Sequence, residues 1–323
     1  MPAHRCRASE RRMGGRAIRF GLVAAAALAL AGCALPPDSQ RPPPGRPITP
    51  TPPPPSAESA ALRAYYARVE RELLAQGLLR GDGGGPDTPF TARMLAENFI
   101  RIALYDEYVT QGGRLVPRAS ESRLRRWDGP IRMRITFGAS VPEARRAIDR
   151  ANVATYTERL SRLTRVPIRL TEFNPNFELL FLNEDERRAA GPLLRTLVPG
   201  ISDVAVDTVT EMPRSTFCLV FAFSEGPSQT YSRAVAVIRA EHPETLRLSC
   251  IHEELAQSMG LANDSPTARP SIFNDDEEFG LLTTQDELLL RMLYDPRLKP
   301  GMTPAEARPI VETIAAELLG GES

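Results

Sequence analysis

The chain has 323 residues, of which 42% are hydrophobic and 25% are charged, so it can form a core and is not a wholly disordered protein. Its formal net charge is zero, but the first 32 residues carry six arginines and one glutamate, which leaves a net charge of −5 on the remainder. This acidic balance argues against nucleic-acid binding. Only two of the three histidines lie beyond residue 32, so one copy of residues 33–323 cannot build a three-histidine zinc site.

Residues 1–32 have the parts of a bacterial export signal. Arg16 and Arg19 precede the apolar run 20–30, and small residues follow up to Cys33. The apolar run is shorter than a bilayer-spanning helix needs. Its Leu-Ala-Gly-Cys ending resembles a lipobox, and this resemblance implies cleavage before Cys33 and lipidation of that cysteine. An ordinary signal peptide is the alternative.

The residues from 33 to 56 are predicted to be a tether. Eleven of the 20 residues 36–55 are prolines, which exclude a helix or a strand ladder and favour an extended polyproline II conformation. Ala34, following the lipid cysteine, favours the outer membrane with the protein facing the periplasm. We therefore expect a lipid-anchored envelope protein, with the membrane as its partner through the lipid on Cys33.

Residues 57–115 are predicted to form a helical N-terminal segment. Apolar side chains recur at helical spacing over 57–79 and again over 91–109, and glycine-rich runs end both helices. A solvated basic loop is predicted next. Its basic residues are Arg118, Arg123, Arg125 and Arg126.

From residue 127 to residue 323 the pattern predicts an α+β domain. Period-two patterns or short apolar runs predict strands at 131–137, 166–171, 178–182, 217–223 and 234–238. Helical patterns predict helices at 143–163, 243–260, 285–293 and 304–319.

The densest polar run of the sequence lies on one of these predicted helices. Glu253 and Gln257 are one turn apart, so their side chains share one face, whereas Glu254 projects from a neighbouring face. Zinc hydrolases use two histidines at this spacing, with a glutamate beside the first as general base. His252 followed by Glu253 supplies one ligand and the base, but Ala256 stands where the second histidine would be.

A second alignment resembles the elongated motif of the metzincin metallopeptidases. The run Glu253-Glu254-x-x-Gln257-x-x-Gly260-x-x-Asn263 falls on His-Glu-x-x-His-x-x-Gly-x-x-His. The base glutamate, at Glu254, and the turn glycine both match. The three ligand positions hold Glu253, Gln257 and Asn263 instead of histidine.

The residues downstream extend this resemblance. The run 271–275 resembles the metzincin Met-turn, with Phe273 in the place of methionine, and 282–294 resembles the helix that follows it. The resemblance covers about 127–295. It implies a metzincin-like, or zincin-like, domain with a mixed sheet, a long helix, the motif helix, the turn and C-terminal helices, to which the helical N-terminal segment is an addition.

Four short runs carry a closer resemblance: Cys250-x-x-Glu-Glu-x-x-Gln257, Gly260-Leu-x-Asn-Asp264, Ser271-Ile-Phe-Asn274 and Tyr294-Asp-Pro-Arg-Leu298. They resemble the uncharacterised proteobacterial lipoproteins grouped as domain of unknown function 2927. This resemblance implies a location and a fold, but no activity.

The missing histidines lead to three hypotheses. Glu253 can ligate a divalent ion, whereas Gln257 and Asn263 offer neutral oxygens that suit hard cations better than zinc, so we expect no cofactor beyond a weakly bound divalent cation. The first hypothesis is a pseudopeptidase that binds an envelope protein or peptide without cutting it. The second is an atypical metal-dependent hydrolase with Glu254 as general base or with His252 recruited. The third is a purely structural hydrogen-bond network.

Two cysteines besides Cys33 remain after export. Cys218 and Cys250 form an even pair in an oxidising envelope, which predicts a disulfide, with two buried thiols as the alternative. His242, directly before a proline, is predicted to be a solvated surface residue.

Overall fold

The computed structural model describes residues 54–112, 114–274 and 276–320. The predicted export signal, the predicted lipidation site Cys33 and nearly all of the predicted tether lie outside the described residues. Residues 51–323 form one compact unit. Across the part of the chain that is described, no helix is both long enough and apolar enough to cross a membrane.

Helices and strands alternate along the described residues, as the α+β prediction requires. The helices are α1 (Ala57–Ala75), α2 (Ala92–Ala103), α3 (Glu143–Thr164), α4 (Glu184–Arg188), α5 (Gly191–Leu197), α6 (Asp203–Thr210), α7 (Glu244–Gln257), α8 (Thr284–Leu293) and α9 (Pro304–Leu318). The strands are β1 (Tyr105–Gln111), β2 (Arg114–Glu121), β3 (Arg126–Trp127), β4 (Ile131–Phe137), β5 (Ile168–Leu170), β6 (Phe177–Leu182), β7 (Cys218–Ser224) and β8 (Thr230–Arg239).

Six of these strands form one mixed sheet. Its central order is β5-β4-β6-β8, all parallel, and β3 also runs parallel to the start of β8. Strand β7 runs antiparallel to β8 and pairs with no second strand among the described residues. One edge of β7 is therefore left without a strand partner.

Helices cover both faces of the sheet. On β6, Leu179 and Phe181 join a core shared with α2, α3, α7, α8 and α9, whereas Leu180 and Leu182 join a second core with α5 and α6. Because β6 is buried on both faces, its sequence is a continuous apolar run apart from Glu178, as expected for a central parallel strand. The sheet positions α7 directly after β8, which sets the location of the polar motif.

The N-terminal segment differs from the prediction. The helix predicted to run to Val109 ends at Ala103, and β1 begins at Tyr105. Strands β1 and β2 form an antiparallel hairpin, so much of the predicted basic loop is a strand. Arg125 forms an ion pair with Asp106, which ties the segment after the hairpin to β1.

The surface position predicted for His242 is wrong. Its side chain is buried beneath α1, where its ring centroid lies 4.4 Å from that of Tyr66. Its Nε2 is 2.8 Å from the carbonyl oxygen of Phe217. Burial, together with the nearby charges of Arg247 and Arg239, lowers the pKa of His242 to about 3. The residues next to His242 do not indicate its burial, because α1 packs over it from a distant part of the chain.

The predicted disulfide is confirmed. Cys218, the first residue of β7, is bonded to Cys250 on α7, with a Cα–Cα distance of 5.9 Å. The bond joins the strand with the unpaired edge to the helix that carries the polar motif.

Candidate functional site

A cleft of about 610 Å³ lies between the β1–β2 hairpin, strand β7 and helix α7. Its lining includes Asp106, Glu107, Tyr108, Arg125, Met212, Phe217, Cys218, Leu219, Val220, Phe221, Ala222, Glu253, Glu254, Gln257, Ser258, Asp264 and Glu277. Six of these described lining residues are acidic and one, Arg125, is basic. Since Arg125 is already paired with Asp106, the cleft carries a surplus of acidic groups.

Helix α7 brings Glu253 and Glu254 into this cleft. One carboxylate oxygen of each residue and the Sγ of Cys218 all lie within 4.8 Å of one another. Glu254 is only 2% exposed, and its Oε2 has no hydrogen-bond partner. A buried carboxyl oxygen without a partner is costly for the fold, which marks Glu254 as a candidate for contact with a ligand.

Both carboxyl groups have a raised pKa, and neighbouring negative charges contribute to each. Burial, then the charge of Glu254, then that of Asp264 raise the pKa of Glu253 well above its usual range. Burial and the charge of Asp264 raise the pKa of Glu254 in the same way. Without a ligand, the pair therefore holds protons at a pH where exposed glutamates are ionised.

A glycine turn after α7 positions the next acidic residue. Gly260 has a φ of +123°, and a Cβ atom at this position would lie 2.1 Å from the carbonyl oxygen of Arg125. Only glycine fits both conditions. The chain then leads to Asp264, whose Oδ1 accepts a hydrogen bond of 3.2 Å from Nε2 of Gln257.

The three residues at the ligand positions are not brought together. Glu253 and Gln257 line the cleft, but the side-chain Nδ2 of Asn263 donates to the carbonyl oxygen of Arg101 at 2.8 Å, and Asn263 does not line the cleft. The neighbouring Asp264 takes the place in the cleft that we expected for Asn263. The sequence contains this carboxylate directly after Asn263, but helical spacing cannot select between them once the helix has ended.

His252 faces away from the cleft, into the core. Its Nδ1 accepts a hydrogen bond from the backbone N–H of Leu282 at 3.1 Å, and its ring stacks on Tyr156 at a centroid distance of 3.9 Å. Burial, aided by the charge of Arg159, lowers the pKa of His252 to about 3, so the ring is neutral. Its contacts hold α7 against α3 and against the loop that precedes α8.

The turn at 271–274 is held by one buried carboxylate. Oδ1 of Asp286 accepts from the hydroxyl of Ser271 at 2.6 Å, and Oδ2 accepts from the backbone N–H groups of Ile272 and Thr283. Phe273, at the position of the Met-turn methionine, is fully buried in the main core. These hydrogen bonds therefore fix the turn against the N-terminal end of α8.

The donor set does not fit a zinc ion. No imidazole lines the cleft among the described residues, Cys218 is committed to the disulfide, and the amide nitrogen of Gln257 is bonded to Asp264. Two carboxylates and a neutral amide suit a hard cation better. We therefore derive no metal-dependent step from this arrangement.

A comparison with known protein families identifies the domain that contains the cleft. A family model described as Protein of unknown function (DUF2927) matches residues 92–313, which is more than half of the chain. The chain belongs to this family. Every residue of the cleft lining lies inside the DUF2927 region, so the cleft is a property of that domain and not of the segment before it. A search of curated proteins found no match.

Replacing Glu254 by glutamine should stabilise the DUF2927 domain at neutral pH. Since the folded-state pKa of Glu254 is raised, the folded state binds its proton more tightly than the unfolded state, and stability falls as pH rises above the unfolded pKa of about 4.3. Glutamine removes this penalty, so the free energy of unfolding should rise by on the order of 1 kcal/mol. Urea denaturation at about pH 4 and about pH 8 should show a gain at the higher pH alone. The matched control is Glu312→Gln on α9, and a gain of equal size at both pH values would contradict the argument.

Proposed function

We propose that this chain is an exported, lipid-anchored protein of the bacterial envelope whose cleft binds an extended, basic peptide segment without cutting it. The anchor is supported by the arginines before the apolar run 20–30 and by the lipobox that ends at Cys33. Ala34 favours attachment to the outer membrane, facing the periplasm. The partner is then an envelope protein or peptide.

A metzincin-like ancestry of the fold is part of this proposal. Its support is the order of the elements: strands β3 and β4, the long helix α3, the remaining strands of the sheet, the motif helix α7, the turn at 271–274 and then α8. The glycine turn at Gly260 adds to it, since the position matches the turn glycine of the metzincin motif.

The observation that carries the binding proposal is the unpaired edge of β7 beside the buried carboxyl pair. Five consecutive residues of β7, 218–222, line the cleft. An extended peptide can add to such an edge through backbone hydrogen bonds, and pockets for alternate side chains then give specificity. The edge and the acidic floor belong to the same cleft, so one ligand can contact both.

The charge of the cleft selects a basic ligand. A lysine or arginine side chain placed over Glu253 and Glu254 would supply the partner that Oε2 of Glu254 lacks. Bound cations favour the ionised carboxylates, so binding would release protons from the pair. Affinity should therefore rise with pH as long as the free pair still holds protons.

Fluorescence polarisation with two designed peptides tests this proposal. A labelled peptide of alternating valine and lysine should bind at least about tenfold more tightly than its valine–glutamate counterpart, which corresponds to about 1.4 kcal/mol. Methylation of alternate backbone nitrogens should abolish binding of the lysine peptide, because it removes the donors that pair with β7. Glu253→Gln with Glu254→Gln should weaken binding about tenfold.

The matched control is Glu312→Gln with Glu317→Gln on α9, which makes the same change in net charge outside the cleft lining. It should leave affinity unchanged. Equal binding of both peptides, or no response to the cleft variants, would contradict the proposal.

Hydrolysis is a second candidate, favoured by one observation. Burial raises the pKa of Glu254, and a raised pKa is what a carboxyl group needs to act as a general acid or base. If this candidate is right, mass spectrometry will show cleavage of the lysine peptide by the wild type and none by Glu254→Gln. A metal near one equivalent in protein purified without chelator, lost in Glu253→Ala, would also support it. A large destabilisation by Glu254→Gln would instead support the purely structural role.

A further inference from the structure

The loop 171–176, which connects β5 to β6, displays an aromatic side chain to solvent. Phe173 is 85% exposed, far more than any other large hydrophobic residue in the described part of the chain. Leu170, the last residue of β5, is 41% exposed. Leu170 therefore lies on the edge strand of the sheet, and Phe173 lies in the loop that leaves this strand. Exposed apolar side chains at one place are a recurrent mark of an interaction surface.

Hydrogen bonds hold this loop in a defined shape. Oγ1 of Thr171 accepts from the backbone N–H of Phe173 at 3.0 Å. The guanidinium Nε of Arg132 donates to the carbonyl oxygen of Asn174 at 2.7 Å, and the backbone N–H of Arg132 donates to Oδ1 of Asn176 at 2.6 Å. These hydrogen bonds fix the loop against β4 and keep the side chain of Phe173 exposed to solvent.

Arginines flank the exposed apolar side chains along the chain and on the neighbouring strand. Arg169 lies beside Arg132 in the register of β5 and β4, and Arg165 is exposed where α3 ends. None of the three forms an ion pair with a described carboxylate, although most arginines elsewhere in the fold do so. Glu172 is the one acidic residue of the segment 162–176. These residues therefore form a basic patch, although residues 33–323 as a whole carry a net negative charge.

We propose that this β5-edge surface, formed by Arg132, Arg165, Arg169, Leu170 and Phe173, docks on an anionic phospholipid bilayer. Phe173 and Leu170 enter the interface between headgroups and acyl chains, as aromatic and aliphatic anchors of peripheral proteins do. The guanidinium groups pair with lipid phosphates, for which their planar donor geometry is suited. Attraction of each arginine to an anionic surface adds to the binding.

The topology of the sheet makes this orientation compatible with an open cleft. Strand β5 forms one edge of the sheet, whereas β7, which lines the cleft, lies beside β8 towards the opposite edge. Docking through the β5-edge surface would therefore leave the acidic cleft away from the anionic membrane. This inference does not depend on what the cleft binds or on lipidation of Cys33.

Vesicle sedimentation tests the docking directly. The chain from residue 34 to 323 lacks the predicted signal and acyl groups and keeps the whole compact unit 51–323. It should bind vesicles of phosphatidylcholine with phosphatidylglycerol and bind pure phosphatidylcholine vesicles much less. Phe173→Ala should weaken binding about tenfold, and Arg165→Ala with Arg169→Ala by about tenfold or more.

Matched variants on α1 control for general charge and apolar effects. Arg63→Ala with Arg71→Ala makes the same change in net charge, and Leu74→Ala removes another exposed apolar side chain. Both should leave binding unchanged, and unaltered melting temperatures will show that every variant folds. The proposal is overturned by an absence of binding, by equal binding to neutral vesicles, or by equal losses in the α1 variants.

Discussion

Replacing both Cys218 and Cys250 by alanine should lower the free energy of unfolding by about 3–4 kcal/mol. The bond closes a loop with a sequence separation of 32 residues, and its loss enlarges the conformational entropy of the unfolded chain by this amount in the chain-entropy account. For a domain of this size, that loss corresponds to a fall in Tm of roughly 6–15 °C.

Calorimetry of the wild type with and without a thiol reductant provides the control. Reduction should move the Tm of the wild type towards that of the double variant, while the variant itself should not respond. A loss below about 1 kcal/mol would contradict the argument and place the stabilisation in the packing of β7 alone.

Glu184→Gln should destabilise the fold at least as much, lowering the free energy of unfolding by about 3–5 kcal/mol. Oε1 of Glu184 accepts from Arg187 at 2.6 Å, and Oε2 accepts from Arg239 at 2.7 Å. Both arginines are almost completely buried, so removal of the carboxylate leaves two buried charges without their counter-ion. Urea denaturation at neutral pH measures the loss. Asp185→Asn, an exposed residue of the same helix, makes the same charge change and should cost no more than about 1 kcal/mol.

Acid should reproduce part of this effect in the wild type. Burial alone would raise the pKa of Glu184, but hydrogen bonds from Arg187 and Arg188 outweigh it and lower the pKa to about 2. Since the unfolded pKa is about 4.3, the contribution is fully present above that value and is lost as pH falls towards 2. The wild type should therefore lose more stability than Glu184→Gln between about pH 5 and about pH 2. Parallel losses in both proteins would contradict the assignment.

Local patterns predicted the regular elements of the sheet domain well. Strand β4 occurs within the predicted bounds because Ile131, Met133 and Ile135 alternate with polar residues on a strand that has one buried face. Helix α3 also begins at Glu143, as the helical pattern predicted. The antiparallel direction of β7 could not be read in this way, because it depends on the path of the chain through α4, α5 and α6, which the sequence did not reveal.

The hairpin was missed because one apolar pattern fits two structures. Ile102, Tyr105 and Val109 have helical spacing, yet Tyr105 and Val109 lie on β1. Their residue types favour a strand, and pairing with β2 decides the outcome. Secondary structure at such positions is set by a partner strand and not by the segment itself.

The site was only partly predictable for the same reason. Glu253 and Glu254 were found because the motif that contains them lies on a regular helix, where Glu253 and Gln257 are one turn apart and spacing fixes direction. Asp264 follows a turn, so its direction depends on the backbone at Gly260. The positions of His252 and His242 are set by packing against α3 and α1, which lie about 100 or more residues earlier in the chain.

The disulfide also has a consequence for ligand recognition. It fixes covalently the separation between one wall of the cleft, β7, and its floor, α7. A ligand that fits between them therefore meets a pre-organised surface and loses little affinity to rearrangement of the protein. The hairpin β1–β2 closes the cleft from another side without a covalent link to that floor among the described residues. The hairpin should consequently decide which ligand thickness the cleft accepts. Sequence differences in the hairpin would change this selectivity without altering β7 or α7.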